Sequence, residues 1–221
     1  MSFGIGYKHS QQGAGPSNGP CLFMSFKKYN PKINAWSQQS PEHLQDLTMM
    51  VVLSIQQPWH SIGTQMRDYR EYGRFSKYVW GNKLKTLNWL LLNRDTLYRE
   101  VMDAIMSKDD LALMDAFLKV DGLGLAKAGF CCQLVAGRVG CIDVHNLRRL
   151  NIAPSVLNLS KKVKPETRKK KIEAYVQACK KRRTSWLWDS WCNLIAKKDP
   201  KRWVDGDHVS MVHYDYLVEG K

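Results

Sequence analysis

The stretch VDGLGLAKAGFCCQLVAG, residues 120–137, decides the fold. Ahead of it, Leu111, Met114, Phe117 and Leu118 keep helical spacing, and within it Leu125 to Val135 form a second helical run that stops at Gly137. The Gly122-Leu123-Gly124 turn between them needs glycine, which removes Cβ clashes and permits positive φ. Backbone N–H groups of such a turn, and of the first residues of the next helix, face outward and suit one phosphate of a nucleic acid backbone. A lone Gly-x-Gly is more often a plain helical corner with a glycine cap. Apolar periodicity on both sides favours the phosphate-binding form, with Gly122, Leu123, Gly124 and Ala126 as the candidate contacts.

The composition agrees with a polyanionic partner. Among 221 residues, 34 Lys and Arg stand against 20 Asp and Glu, a net charge of +14 and a pI near 9.6. An apolar fraction of 44% and eight tryptophans supply a packed core, which excludes wholesale disorder. The longest apolar stretch, Met49 to Leu53, falls far short of the roughly 18 residues of a membrane span. The first residues, MSFGIGYKHSQQ, carry no signal-peptide pattern, so a cytoplasmic, nucleoid-associated protein is expected, without a membrane partner. Six cysteines in a chain of this length, with no C-x-x-C pair, read as core thiols in a reducing compartment and offer no metal site.

Working outward, residues 1–40 are rich in Gly, Ser, Gln, Asn and Pro and are expected to form an extended arm pinned by scattered aromatics. Residues 41–198 are expected to form the helical domain and 199–221 a tail. PEHLQDLTMMVVLSIQQ, from Pro41, has proline in its first turn and apolar residues nearly all round, as a central helix ending before Pro58 would. Further helices are expected at 60–72, 82–93, 95–107 and 110–119, then a short one after Asp143. The basic run from Lys161 to Lys171 leads into a helix near 166–183, with Ile172, Tyr175, Val176 and Cys179 on one face. A Trp-rich helix is expected over 184–197. The fold class is mainly α.

GLGLAKAGFCCQLVAGRVGCIDVHNLRRL, residues 122–150, resembles the helix-hairpin-helix DNA glycosylases, the endonuclease III and 8-oxoguanine glycosylase superfamily. Ile142-Asp143-Val144-His145 resembles the segment that carries the family's catalytic aspartate, and Arg148 matches a basic residue common just after it. Leu53-Ser54-Ile55-Gln56 resembles the helix end where a glutamine lies near the gap left by an extruded base. The resemblance spans about residues 42–151 and implies a helical bundle that binds double-stranded DNA as a monomer. Bifunctional members carry a Schiff-base lysine two residues past the second hairpin glycine. That position is Ala126 here, and Lys127 lies one further. Either the hairpin slips by one residue, or the enzyme is monofunctional and Lys127 contacts phosphate; the second is the expectation. The four-cysteine iron–sulfur loop frequent in the family is missing, so no cofactor is expected.

Asp143 has a chemical logic apart from the family. Breaking a C1′–N bond builds positive charge on the sugar, which a fixed carboxylate stabilises while guiding water. The expected activity is therefore base-excision DNA glycosylase chemistry, with Asp143 and Lys127 as catalytic candidates. Gln56, His145, Arg148, Lys169 and Lys170 are candidate DNA contacts, and Trp59 and His60 could stack on a displaced base. Two alternatives keep the fold: a thymine-modifying enzyme like the α-glutamyl/putrescinyl thymine pyrophosphorylases of bacteriophages, which would make the chain phage-encoded, and an inactive hairpin module that only binds DNA.

Overall fold

The computed structural model describes residues 31–55, 60–75, 79, 81–143, 146–147, 151–160 and 162–184. These residues are mainly helical and include no strand. The organising element is α2 (Pro41–Leu53), where Ser40 caps the first turn by accepting from the His43 N–H and proline stands at the helix start. Leu44 and every residue from Leu47 to Leu53 are buried, as the nearly continuous apolar sequence requires of a helix surrounded by others. The chain before it is helical too. Residues 31–37, placed in an extended arm by their composition, form α1 (Pro31–Ser37). Trp36 anchors that helix by stacking on His43 with ring centroids 4.4 Å apart, and Gln38 donates to the Val135 carbonyl of a distant helix at 2.6 Å.

Two boundaries differ from the sequence-based expectation, each for a local reason. Helix α2 ends at Leu53 instead of continuing to Pro58. There the Ser54 hydroxyl donates to the Val51 carbonyl at 2.7 Å, and Lys83 donates to the carbonyls of Leu53 and Ile55 at 3.2 and 2.7 Å. After α3 (His60–Tyr72), the pair expected at 82–93 and 95–107 is one helix, α4 (Gly81–Met106). Asn93, read as a break, stays in the helix by donating its side-chain amide to the Trp89 carbonyl at 2.8 Å. Arg94 reaches Glu42 on α2 at 2.9 Å. Leu87, Leu90, Leu97, Val101 and Ala104 remain buried along its length, and α4 packs on α2 and on α5.

Helix α5 (Asp110–Leu118) is capped by Asp109, whose carboxylate accepts from the N–H groups of Leu111 and Ala112. A turn leads into α6 (Leu125–Ala136), which ends at the left-handed Gly137. A one-turn 3-10 helix (Pro154–Leu157) precedes α7 (Pro165–Arg182), whose buried residues are Ile172, Tyr175, Val176 and Cys179, the four that the spacing placed on one face. The Trp-rich helix expected at 184–197, the tail and most of the arm lie outside the described residues.

The loop from Gly137 to Asp143 runs buried between α6 and α7. It turns through positive φ at Gly137, Val139 and Gly140 (62°, 62° and 132°). For branched Val139 this conformation costs about 1–3 kcal/mol, and the Thr184 hydroxyl helps hold it by donating to the Val139 carbonyl at 2.9 Å. Tyr175, fully buried, donates its hydroxyl to the Gly140 carbonyl and accepts from the Ile142 N–H, both at 2.9 Å. Gln133 accepts from the Cys141 N–H at 3.1 Å. Gly129 on α6 lets the loop come this close, since a Cβ there would lie 2.3 Å from the Gly140 carbonyl oxygen and 2.7 Å from the Tyr175 hydroxyl. Asp110 ties the outer rim, accepting from Arg138 at 2.6 Å and Lys180 at 2.9 Å.

Tyr175→Phe removes one atom and leaves two buried backbone groups of this loop without a partner. It should lower the urea-unfolding free energy by about 2–4 kcal/mol; a change below about 0.5 kcal/mol would show that the hydroxyl does not hold the loop. The surrounding thiols give a second check. Burial pushes Cys141 and Cys179 up to about 12 from an ordinary 9.0, and it also raises Cys131 and Cys132. A thiol that keeps its proton only in the folded state contributes stability that is whole below pH 9.0 and is lost as pH rises towards about 12. With Cys21 and Cys192 replaced by serine, the native chain should therefore show no fast thiol labelling at about pH 8.5, and labelling and urea sensitivity should rise together above pH 9. Fast labelling at the lower pH would contradict this burial.

Candidate functional site

The turn between α5 and α6 uses its two glycines differently. Leu123 is buried and its N–H donates to the Val120 carbonyl at 3.1 Å, which closes the turn. Gly122 has φ of 94°, and a Cβ there would meet the Thr86 hydroxyl of α4 at 2.5 Å. The fold itself demands this glycine. Gly124 is the N-cap of α6, with an ordinary φ of −95° and no side-chain cap. A Cβ on it would meet nothing within 4 Å. No described residue requires the second glycine, and Gly124 itself is exposed at the start of α6.

Lys127 points inward. It is half-buried, its ammonium donates to the Ser54 hydroxyl at 3.0 Å, and it lies 5.6 Å from the centre of the Phe130 ring. This bond joins the two segments that carry the family resemblance, the end of α2 and the helix after the glycine turn. The sequence did not single out Lys83, which comes to the same place from the first turns of α4. Partial burial and the nearby Lys127 charge lower the Lys83 pKa. No spacing signal could have found Lys83, because its partners lie 28 and 30 residues away in sequence.

Asp143 ends the buried loop. Its carboxylate accepts from the Asn146 N–H and its carbonyl accepts from the Leu147 N–H, both at 2.8 Å, so it caps the short helix expected after it. Asn146 donates its side-chain amide to the Cys141 carbonyl at 2.9 Å. The Asn146 side-chain oxygen is buried without a hydrogen-bond partner among the described residues, as a group that receives a water or ligand hydroxyl would be. The Asp143 carboxylate and the Lys127 ammonium both act on the Cys141 thiol, one raising and the other lowering its pKa.

The remaining candidates separate into groups. Gln56, His145 and Arg148, like Trp59 and the tryptophans beyond 184, lie outside the described residues. Lys169 and Lys170 are exposed on α7, whereas other members of the same basic run serve the fold. Arg168 pairs with Asp115 at 3.1 Å, Lys180 with Asp110, and Lys171 donates to the Asn158 carbonyl. Among the described residues no group of His, Cys, Asp and Glu is arranged to hold a metal ion, and no helix is long and apolar enough to cross a membrane. Comparison with protein-family models, curated proteins and solved structures finds no match to the chain.

The two glycines predict stability losses of unequal size. Gly122→Ala should destabilise by about 2–3 kcal/mol, from positive φ and from contact with Thr86. Adding Thr86→Ala should recover part of that loss, because it removes the contact and leaves the φ strain. Gly124→Ala should cost less than about 1 kcal/mol. Equal losses for the two alanine variants in thermal or urea unfolding would refute the division.

Proposed function

We propose that the chain is a monofunctional DNA glycosylase that extrudes one nucleotide from a duplex and hydrolyses its N-glycosidic bond. The observation that carries this reading is the Lys127–Ser54 bond, which joins the helix after the Gly-Leu-Gly turn to the end of α2; Asp143, fixed at the end of the clamped loop, supplies the acid. The exposed Gly124 at the N-cap of α6 supports phosphate binding, and the exposed Lys169 and Lys170 support sequence-independent grip on a backbone.

In the proposed reaction the C1′–N bond breaks with its electron pair leaving on the base, and the positive charge that grows on the sugar is stabilised by the Asp143 carboxylate. Water then adds at C1′ and gives its proton to that carboxylate or to the departing base. A carboxylate held by a backbone N–H at a helix start keeps its position during the step. Extrusion costs a few kcal/mol, less for a damaged or mispaired base, so part of the selectivity needs no direct base contact. The bond from Lys127 to Ser54 favours the monofunctional form, because it occupies the amine that a Schiff base would need.

A panel of lesion-containing duplexes, each incubated and then resolved with and without alkali, tests this reading. Asp143→Asn should abolish base release, by about a thousandfold or more, while changing duplex affinity less than about threefold. Release unchanged in that variant would refute the assignment. An altered nucleoside in place of a freed base, detected by mass spectrometry, would point to the thymine-modifying alternative, and salt-sensitive binding with no product to a binding module.

A further inference from the structure

We infer that Lys83 and Lys127 together form an oxyanion subsite at the end of α2, suited to a phosphate group. The two amines reach this turn from different helices, Lys83 onto the carbonyls on either side of Ser54 and Lys127 onto the Ser54 hydroxyl itself. Both are partly buried, and neither forms an ion pair among the described residues. Among the described residues the partly buried Arg94, Arg138 and Arg168 are matched with Glu42, Asp110 and Asp115, while Lys171 donates to the Asn158 carbonyl. Carbonyl and hydroxyl oxygens orient the lysines but do not cancel two positive charges.

Like charges brought together away from bulk water repel, and the repulsion is felt here, since Lys127 helps to lower the Lys83 pKa. A fold keeps such an arrangement without cost once an anion sits between the charges. The place is suggestive of which anion. Lys127 belongs to the first turn of α6, whose N-cap Gly124 supplies no side chain and faces open space, so the helix start adds its own positive field. A phosphate accepts from several donors at once and matches two ammonium groups. As a seat for the backbone phosphate of an extruded nucleotide, the subsite rests on the proposed function; as an oxyanion site it rests on the two lysines alone.

The full chain, labelled with 13C and 15N on lysine, allows the amines to be followed by NMR. Inorganic phosphate is added at constant ionic strength, with Lys83 and Lys127 identified from the Lys83→Met and Lys127→Met spectra. Lys108, exposed in the turn after α4, is the reference; it lies roughly 35 Å along that helix from Lys83. The expected result is saturable shifts at both lysines with a common midpoint and no saturation at Lys108. Each methionine variant should raise the midpoint about fivefold at the remaining lysine, whereas Lys83→Arg, which keeps charge and carbonyl bonds, should hold it within about twofold. If Lys83→Met does not fold, Lys127→Met carries the test, because among the described residues Lys127 donates only to a side chain. Shifts at Lys83 and Lys127 that merely follow Lys108, or midpoints unmoved in Lys127→Met, would overturn the subsite.

A second titration with a short oligothymidylate separates the sources of the phosphate. Competition with inorganic phosphate supports a backbone ligand, and lack of competition overturns that assignment while leaving an oxyanion site. Phosphate shifts without base release from any duplex would sink the glycosylase reading alone. Base release without phosphate shifts would sink only the subsite.

Discussion

The fully buried hydroxyl of Tyr175 sits where α6, α7 and the loop from Gly137 to Asp143 meet, and it works in both directions. It donates to the Gly140 carbonyl and accepts from the Ile142 N–H, so two backbone groups that could not reach water are satisfied by one atom. The loop could not otherwise stay buried in its present path, which turns through three positive-φ residues including a valine. Gln133, Thr184 and Asn146 satisfy three more of its backbone groups. Asp143 is held in place because the loop before it has no freedom left.

Helix α2 plays the same part for the other half of the site. It is buried along its last two turns, so its C-terminal end is a fixed point against which side chains from α4 and α6 can be placed. Lys83 takes its carbonyls and Lys127 its terminal serine hydroxyl. Two helices distant in sequence are thereby registered on a third. The net charge of +14 accordingly divides into parts. Some cations tie elements together through Asp46, Asp110 and Asp115. Others, such as Lys169 and Lys170, stay exposed, and Lys83 and Lys127 lie partly buried with no ion pair among the described residues.

The comparison between pattern and structure is instructive element by element. The four buried residues of α7, the capped end of α6 at Gly137 and the turn at Gly122 were all readable, because each follows from periodicity or from the backbone freedom of glycine. Asn93-Arg94 misled, because a break signal counts only when the side chain is not satisfied inside the helix, and here both residues found partners. The segment at 31–37 misled because polar composition hid two buried anchors, Ile33 and Trp36. Gly124 shows the converse: its residue type was legible, but only the empty space around it separates a glycine the fold needs from one it does not.

By itself the sequence determined the mainly helical class, the α5–turn–α6 unit and the identity of an acid soon after it, since these depend on contacts among residues close along the chain. Only the tertiary structure decided that Lys127 turns towards Ser54, that Lys83 joins it, and that Tyr175 holds the loop behind Asp143. Those contacts link residues 28 to 73 positions apart. No local pattern encodes such pairs, because which side chains meet depends on how whole helices pack.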